Sequence, residues 1–248
     1  MEPKDLLIGR MEDLVAQALK RGCAASRFLT PAEAQTIENH FKYHAVALSF
    51  DGGFENAERA RAVFLQPDWG VCDRTELLTA LQVDYRPQDT LRHRDILGAL
   101  MALGVERDSF GDILAETPPA TLVCLPELSG YILENFTMAG RVGVQVSAIA
   151  LDSLPVKTES YTVRTGTVAS LRLDAVLGLA FNLSRTKATE LIAAGRVQLN
   201  HEPCLQAAKE LSVDALLSVR GLGRARLLET TGVSRKGRLF VKLGVMSD

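Results

Sequence analysis

Few folds accommodate the segment Arg172 to Asn200, RLDAVLGLAFNLSRTKATELIAAGRVQLN. Its spacing predicts two short helices joined by a capped turn and followed by a strand. Leu173, Val176, Leu177, Ala180 and Phe181 recur at i, i+3 and i+4, one buried face of a helix. Asn182 and Leu183 break that pattern, and Ser184 stands where an N-cap hydroxyl accepts an unbonded backbone N–H. The second helix buries Ala188, Leu191 and Ile192 and stops at Gly195, the residue type preferred just past a helix end. Val197, Gln198 and Leu199 alternate as a strand, and Asn200 begins a turn. Arg172, Arg185, Lys187 and Arg196 lie off the apolar stripes. Two helix beginnings, each near an arginine, suit phosphate, because open N–H groups and the helix dipole both favour an anion.

Charge supports the same reading. From Ser160 onward the chain holds 13 Lys+Arg against 7 Asp+Glu, whereas the preceding residues hold 15 against 23. A basic tail on an acidic body points the tail at a polyanion. The overall composition, 47% hydrophobic and 23% charged, is that of an ordinary globular protein. There is no run of eighteen apolar residues, so no membrane span is expected. The opening MEPKDLLIGRMEDL lacks the basic-then-apolar plan of a signal peptide, and a cytoplasmic location is expected. Cys23, Cys72, Cys124 and Cys204 are scattered without CxxC spacing, which predicts reduced, mostly buried thiols and no structural zinc.

Along the chain, residues 2–26 carry helical spacing and Thr30-Pro31-x-Glu33 starts a second helix running to about Lys42. Ala45 to Phe50 and Ala60 to Leu65 read as a small hairpin around Asp51-Gly52-Gly53. Next come a strand (Glu76 to Tyr85), a helix (Thr90 to Leu103) and two strands (Phe110 to Ala115, Ala120 to Leu125). A helix (Pro126 to Met138) and a strand (Val142 to Ile149) complete the set. The order βαββαβ is that of a ferredoxin-like plait. Its last strand, VGVQVSAI, lacks the interleaved aromatics on which an RNA-recognition sheet stacks bases. Asp152 to Glu159 serves as a linker into a strand from about Ser160 to Val168. Leu216 to Arg220, Arg226 to Glu229 and Arg238 to Leu243 are further strands. The expected fold is therefore α+β. It comprises an N-terminal unit of helices and a hairpin (1–72), a plait (73–154) and a basic C-terminal domain (160–248).

The C-terminal pattern resembles the alpha-L RNA-binding fold, named for small-subunit ribosomal protein S-four. The resemblance rests on Arg172-Leu173-Asp174, on Ser184-Arg185 through Leu191-Ile192, and on Gly195-Arg196-Val197 through Asn200. Asp214 and Leu217-Ser218-Val219-Arg220 match the family's closing turn and strand. His201 departs from it, standing where many members carry Gly. Two upstream stretches resemble the YlmH family: Phe50-Asp51-Gly52-Gly53-Phe54-Glu55 through Arg61, and His93-Arg94-Asp95 through Gly104 with Phe110-Gly111-Asp112-Ile113. That resemblance implies a bacterial, cytoplasmic, ribosome-associated protein. It further implies binding to a large ribosomal subunit that carries peptidyl-tRNA, with rRNA and tRNA as partners. A role in rescuing stalled nascent chains, beside a partner factor that tails them, is also implied.

No catalytic constellation competes with RNA binding. His93-Arg94-Asp95 lacks the Asn that a kinase catalytic loop needs five residues after the Asp, where Leu100 stands. His40 and His44 form an i, i+4 pair without a third metal ligand. Gly221-Leu222-Gly223 reads as a tight turn. Arg172-Leu173-Asp174 continues Ala175-Val176-Leu177, not the Thr, Ser and Gly of pseudouridine synthases, so Asp174 is expected to hold Arg172 or cap its helix turn. No cofactor and no enzyme activity are expected. The alternatives are an RNA-modifying enzyme with an unseen active site and a division-linked protein-interaction factor. The expected RNA contacts are Arg172, Ser184, Arg185, Lys187, Arg196 and Asn200, followed by Arg220, Arg224 and Arg226, with Lys236 and Arg238 weaker. Neutralising about five phosphates corresponds to a log–log salt slope of roughly −3.5 to −4.5.

Overall fold

The computed structural model describes residues 3–115, 118–155, 161–235 and 237–246, and the chain divides into two compact units, Met1–Lys157 and Thr158–Asp248. The architecture is α+β. The second half of the expected linker (156–159), the first residue of the strand expected from Ser160, and Lys236 lie outside the described residues.

The first unit begins with α1 (Pro3–Arg21), β1 (Cys23–Leu29), α2 (Pro31–Phe41), β2 (Ala47–Asp51) and β3 (Ala60–Leu65). The sheet runs β1-β3-β2, all antiparallel, so the expected hairpin gains a third strand. The helix expected over 2–26 stops early. Gly22 takes φ +89 and its N–H closes on the Ala18 carbonyl at 2.7 Å. A Cβ there would enter the Trp69 indole, so only glycine suits this exit. α2 starts on a capping box: the Glu33 N–H donates to Thr30 Oγ1 at 3.3 Å, and the Thr30 N–H donates to Glu33 Oε2 at 2.7 Å. Met11, Val15, Ala18, Ile37, Phe41 and Phe64 form the core beneath these helices.

The plait follows: α3 (Arg74–Leu77), β4 (Thr79–Asp84), α4 (His93–Ala102), β5 (Phe110–Leu114), β6 (Ala120–Cys124), α5 (Pro126–Asn135), a two-residue pair β7 (Met138–Ala139) and β8 (Val142–Gly143), and β9 (Gln145–Ile149). The sheet order β5-β6-β4-β9, antiparallel throughout, is that of a ferredoxin-like fold. The expected strand start at Glu76 is corrected. Asp73 accepts the Thr75 N–H at 2.9 Å and caps the short α3 instead. Leu81, Val83, Ile96, Leu100, Leu122 and Ile132 fill the space between sheet and helices.

A further cluster, Phe28, Leu78, Ala80, Val123, Leu125 and Leu154, draws on β1 and on the plait together. The two stretches that resemble the YlmH family meet beside it. The buried Asp112 carboxylate accepts the N–H groups of Glu58 at 2.8 Å and Arg59 at 3.1 Å. Arg74 donates in bidentate fashion to Asp51 at 2.7 and 2.9 Å, and the Gly53 N–H also donates to Asp51 at 2.9 Å. Arg61 donates to the Ser26 and Leu77 carbonyls. These signature residues hold the fold together. The expectation of scattered reduced thiols is corrected for one pair: Cys23 and Cys72 form a disulfide with a Cα–Cα separation of 6.0 Å, while Cys124 and Cys204 are free. Spacing along the chain hid this contact, because the two cysteines are 49 positions apart in the sequence.

The second unit contains β10 (Thr162–Val168), α6 (Leu173–Phe181), α7 (Arg185–Ala193), β11 (Val197–Leu199), β12 (Glu202–Pro203), β13 (Leu216–Val219), β14 (Gly223–Val233) and β15 (Leu239–Met246). Its sheet order is β10-β15-β14-β13-β11-β12. Leu173, Val176 and Leu177 of α6 and Ala188 and Ile192 of α7 are fully buried against Val197, Leu217, Leu227 and Leu243. Each large side chain contributes about 1.5–3 kcal/mol relative to exposure.

Candidate nucleic-acid interface

The turn between α6 and α7 gathers the first group of expected contacts around one carboxylate. Asp174 is 2% exposed, yet it faces two arginines. Arg172 donates from Nε at 3.1 Å and from Nη2 at 2.9 Å, one to each oxygen. Arg185, eleven residues on, donates from Nε to Oδ2 at 3.1 Å. The hydrogen bonds from Arg172 hold the Asp174 carboxyl below its ordinary value; burial opposes this and Arg185 reinforces it. The same contacts raise Arg172. Asp174 therefore stays ionised and fixes both guanidinium groups while their outer edges remain in solvent.

The two helix beginnings differ. At α6 the N–H groups of Leu173 and Asp174 donate to the carbonyls of Lys209 at 2.8 Å and Ala207 at 3.0 Å. That beginning is closed by a returning loop, which corrects the expectation of a phosphate site there. At α7 the Ser184 Oγ accepts the Lys187 N–H at 3.2 Å. The N–H groups at the first two helical positions, Arg185 and Thr186, have no acceptor within the helix and stand among exposed side chains. Lys187 pairs with Glu190 at 3.0 Å on the exposed face. The α7 beginning, with Arg172, Arg185 and Lys187 around it, is the better anion site.

A second group sits past the other end of α7. A surface cleft of about 660 Å³ is lined by Gly195, Arg196, Gln198, Ser218, Arg220 and Arg224, among others. Arg196 and Arg220 tie its wall: the Arg220 N–H donates to the Arg196 carbonyl at 3.1 Å, and Arg196 Nη2 donates to the Arg220 carbonyl at 3.2 Å. Gln198, Ser218 and Arg224 are cross-strand partners on β11, β13 and β14, so they form one polar row. Sequence reading missed Gln198 and Ser218, whose signal is register, not motif. α7 is nine residues long, so its two ends, near which the two groups sit, lie roughly 14 Å apart. One phosphate cannot span that distance, but the backbone of a few nucleotides can.

The remaining expected residues fall elsewhere. Asn200 adopts φ +48; its N–H donates to the Leu216 carbonyl at 2.8 Å, and its Oδ1 accepts the Leu216 N–H at 2.8 Å. It closes the turn after β11, with His201 also at positive φ. Arg226 lies two residues beyond Arg224 and is half-buried. Arg238 donates to the Thr167 carbonyl at 2.7 Å. Among the described residues, no helix is long and apolar enough to cross a membrane, and no group of three His, Cys, Asp or Glu is placed to hold a metal.

Residues 171–217 match the S4 domain, and residues 78–153 match the family described as "Putative RNA-binding domain in YlmH". The "Ribosome-associated protein quality control protein P2" of Bacillus subtilis (strain 168) is 32% identical over 213 residues, covering 85% of this chain and 82% of that protein. The structure of "Cell division protein ylmH from Streptococcus pneumoniae" superimposes with a TM-score of 0.52 at 20% identity, covering 62% of this chain and 97% of that one. At that identity the likeness concerns the fold alone. The S4 match covers the braced turn and the matched relative spans both units, so the chain belongs to the YlmH family of proteins, with an RNA-binding S4 domain at its C-terminal end.

Proposed function

We propose that this chain is a non-enzymatic cytoplasmic factor that docks on the large ribosomal subunit. It would contact rRNA and peptidyl-tRNA and assist the rescue of stalled nascent chains. The observation that carries the reading is the ionised, buried Asp174 holding Arg172 and Arg185 beside the open beginning of α7. The ribosome-associated name of the Bacillus relative supports the target. In this reading Arg172, Ser184, Arg185 and Lys187 receive one stretch of phosphate backbone. Arg196, Arg220, Arg224 and Arg226 receive another, while Asn200 shapes the turn between them. Shape and charge then govern recognition more than base sequence. The first unit is free to meet tRNA or a protein partner such as a nascent-chain tailing factor.

Sedimentation through a sucrose gradient tests the proposal. The chain is expected to travel with large subunits carrying peptidyl-tRNA at low salt, and the Arg185→Ala/Lys187→Ala variant is expected to stay at the top. Equal sedimentation of variant and parent would sink the reading. Turnover of a modified nucleoside in purified rRNA would replace it with an enzymatic one.

A further inference from the structure

The geometry points to a thiol–disulfide modification site in the first unit, where Cys23 and Cys72 react with the disulfide of a low-molecular-weight thiol and thereby strap the segment 66–73 to the end of α1. Three observations converge on it. The Cα–Cα separation of 6.0 Å lies within the ordinary span for a disulfide, so the backbone as it stands accommodates the bond. Both cysteines are half-buried and line a surface cleft of about 580 Å³ together with Trp69 and Val71, so a small thiol reaches them. The segment meets the end of α1 directly: the Gln66 N–H donates to the Gly22 carbonyl at 2.8 Å, and the Trp69 indole covers Gly22. Trp69 is 57% exposed and Val71 is 86% exposed. The disulfide holds this apolar pair in place.

The chemistry balances. One cysteine thiolate attacks the small disulfide, releasing one thiol and forming a mixed disulfide. The second thiolate displaces the second small thiol and closes Cys23–Cys72. Two protein thiols are oxidised and one small disulfide is reduced to two thiols. In a reducing compartment such a pair opens and closes with the thiol pool, which is the usual behaviour of intracellular disulfides.

Trp69 is the single tryptophan of the chain, so its fluorescence reports this segment and nothing else. The test uses the full chain with Cys124→Ser/Cys204→Ser, leaving only the two reacting thiols, in graded mixtures of reduced and oxidised glutathione. On oxidation both thiols are expected to become unalkylatable together, with a mass loss of two hydrogens and no retained glutathione. Acrylamide quenching of Trp69 is expected to fall over the same range, and Cys72→Ser should abolish that step. Thiols that stay alkylatable at the oxidised end, stable glutathione adducts, or a quenching step that persists in Cys72→Ser would each overturn the proposal. So would quenching that stays flat while the disulfide forms.

Discussion

Replacing Asp174 by Asn separates positioning from charge. Three guanidinium hydrogen bonds at 2.9–3.1 Å converge on the carboxylate. The amide retains one acceptor oxygen and no charge. A hydrogen bond to a charged group is worth about 1.5–3 kcal/mol net when buried. Here the arginine side chains are 37% and 65% exposed, so water replaces much of what is lost. The expected stability loss is about 1–2 kcal/mol. For RNA, the substitution makes the domain one unit more positive, which by charge alone tightens binding. Freeing two rotamer-rich side chains that must then be ordered on binding costs about 0.5–1.5 kcal/mol each. If positioning governs, affinity falls roughly tenfold. The slope of log K against log salt stays unchanged, because both arginines keep their charge. Arg185→Ala, in contrast, flattens the slope by roughly 0.7–0.9. Binding to large subunits measured over a salt series reads both quantities. An Asp174→Asn chain that folds and binds as tightly as the parent, or more tightly, would refute the brace.

Arg196→Ala and Arg220→Ala are each expected to flatten the salt slope by roughly 0.7–0.9; a slope equal to the parent's would place the cleft outside the RNA path. Gly53 has φ +98, and a Cβ there would lie 2.9 Å from a Val123 methyl, so Gly53→Ala should lower stability by about 1–3 kcal/mol in urea unfolding; an unmoved midpoint would contradict the packing. Acid should weaken both units through Asp51 and Asp174. Burial pushes Asp51 up, but the bidentate Arg74 and the Gly53 N–H outweigh it and leave Asp51 lowered, as Arg172 leaves Asp174 lowered. A depressed carboxyl contributes stability that is complete above the unfolded value of about 3.9 and is lost as pH falls through the lower folded value. Urea midpoints are therefore expected to drop as pH falls below that value, and less steeply in Asp51→Asn and Asp174→Asn; parallel curves for parent and variants would argue against the ion pairs.

The helical turn of the second unit was legible because each of its signals is local. Apolar residues at helical spacing, a serine cap and a closing glycine lie within thirty residues, and they appear as α6, α7 and β11. The plait was legible for the same reason. β1 was not, since Cys23-Ala24-Ala25 extends the small-residue pattern of α1 and Gly22 carries the break alone. The site was half legible. Asp174 holding Arg172 lies two residues away, a local inference, whereas its bond to Arg185 depends on how α6 and α7 cross. Asn200 was read as an RNA contact because its position is set by motif; its side chain closes a turn onto Leu216, sixteen residues later. The polar row of Gln198, Ser218 and Arg224 exists only once three strands are in register.

The capture of the Glu58 and Arg59 N–H groups by Asp112 has a consequence for the order in which the chain can fold as it is made. The loop after β2 also rests Gly53 against Val123 and Leu154. Its bed is thus incomplete until about two thirds of the chain has been synthesised. The loop between β2 and β3 must wait, unseated, for residues that arrive much later. The second unit draws its core from Val168 to Leu243 alone and is independent of that delay.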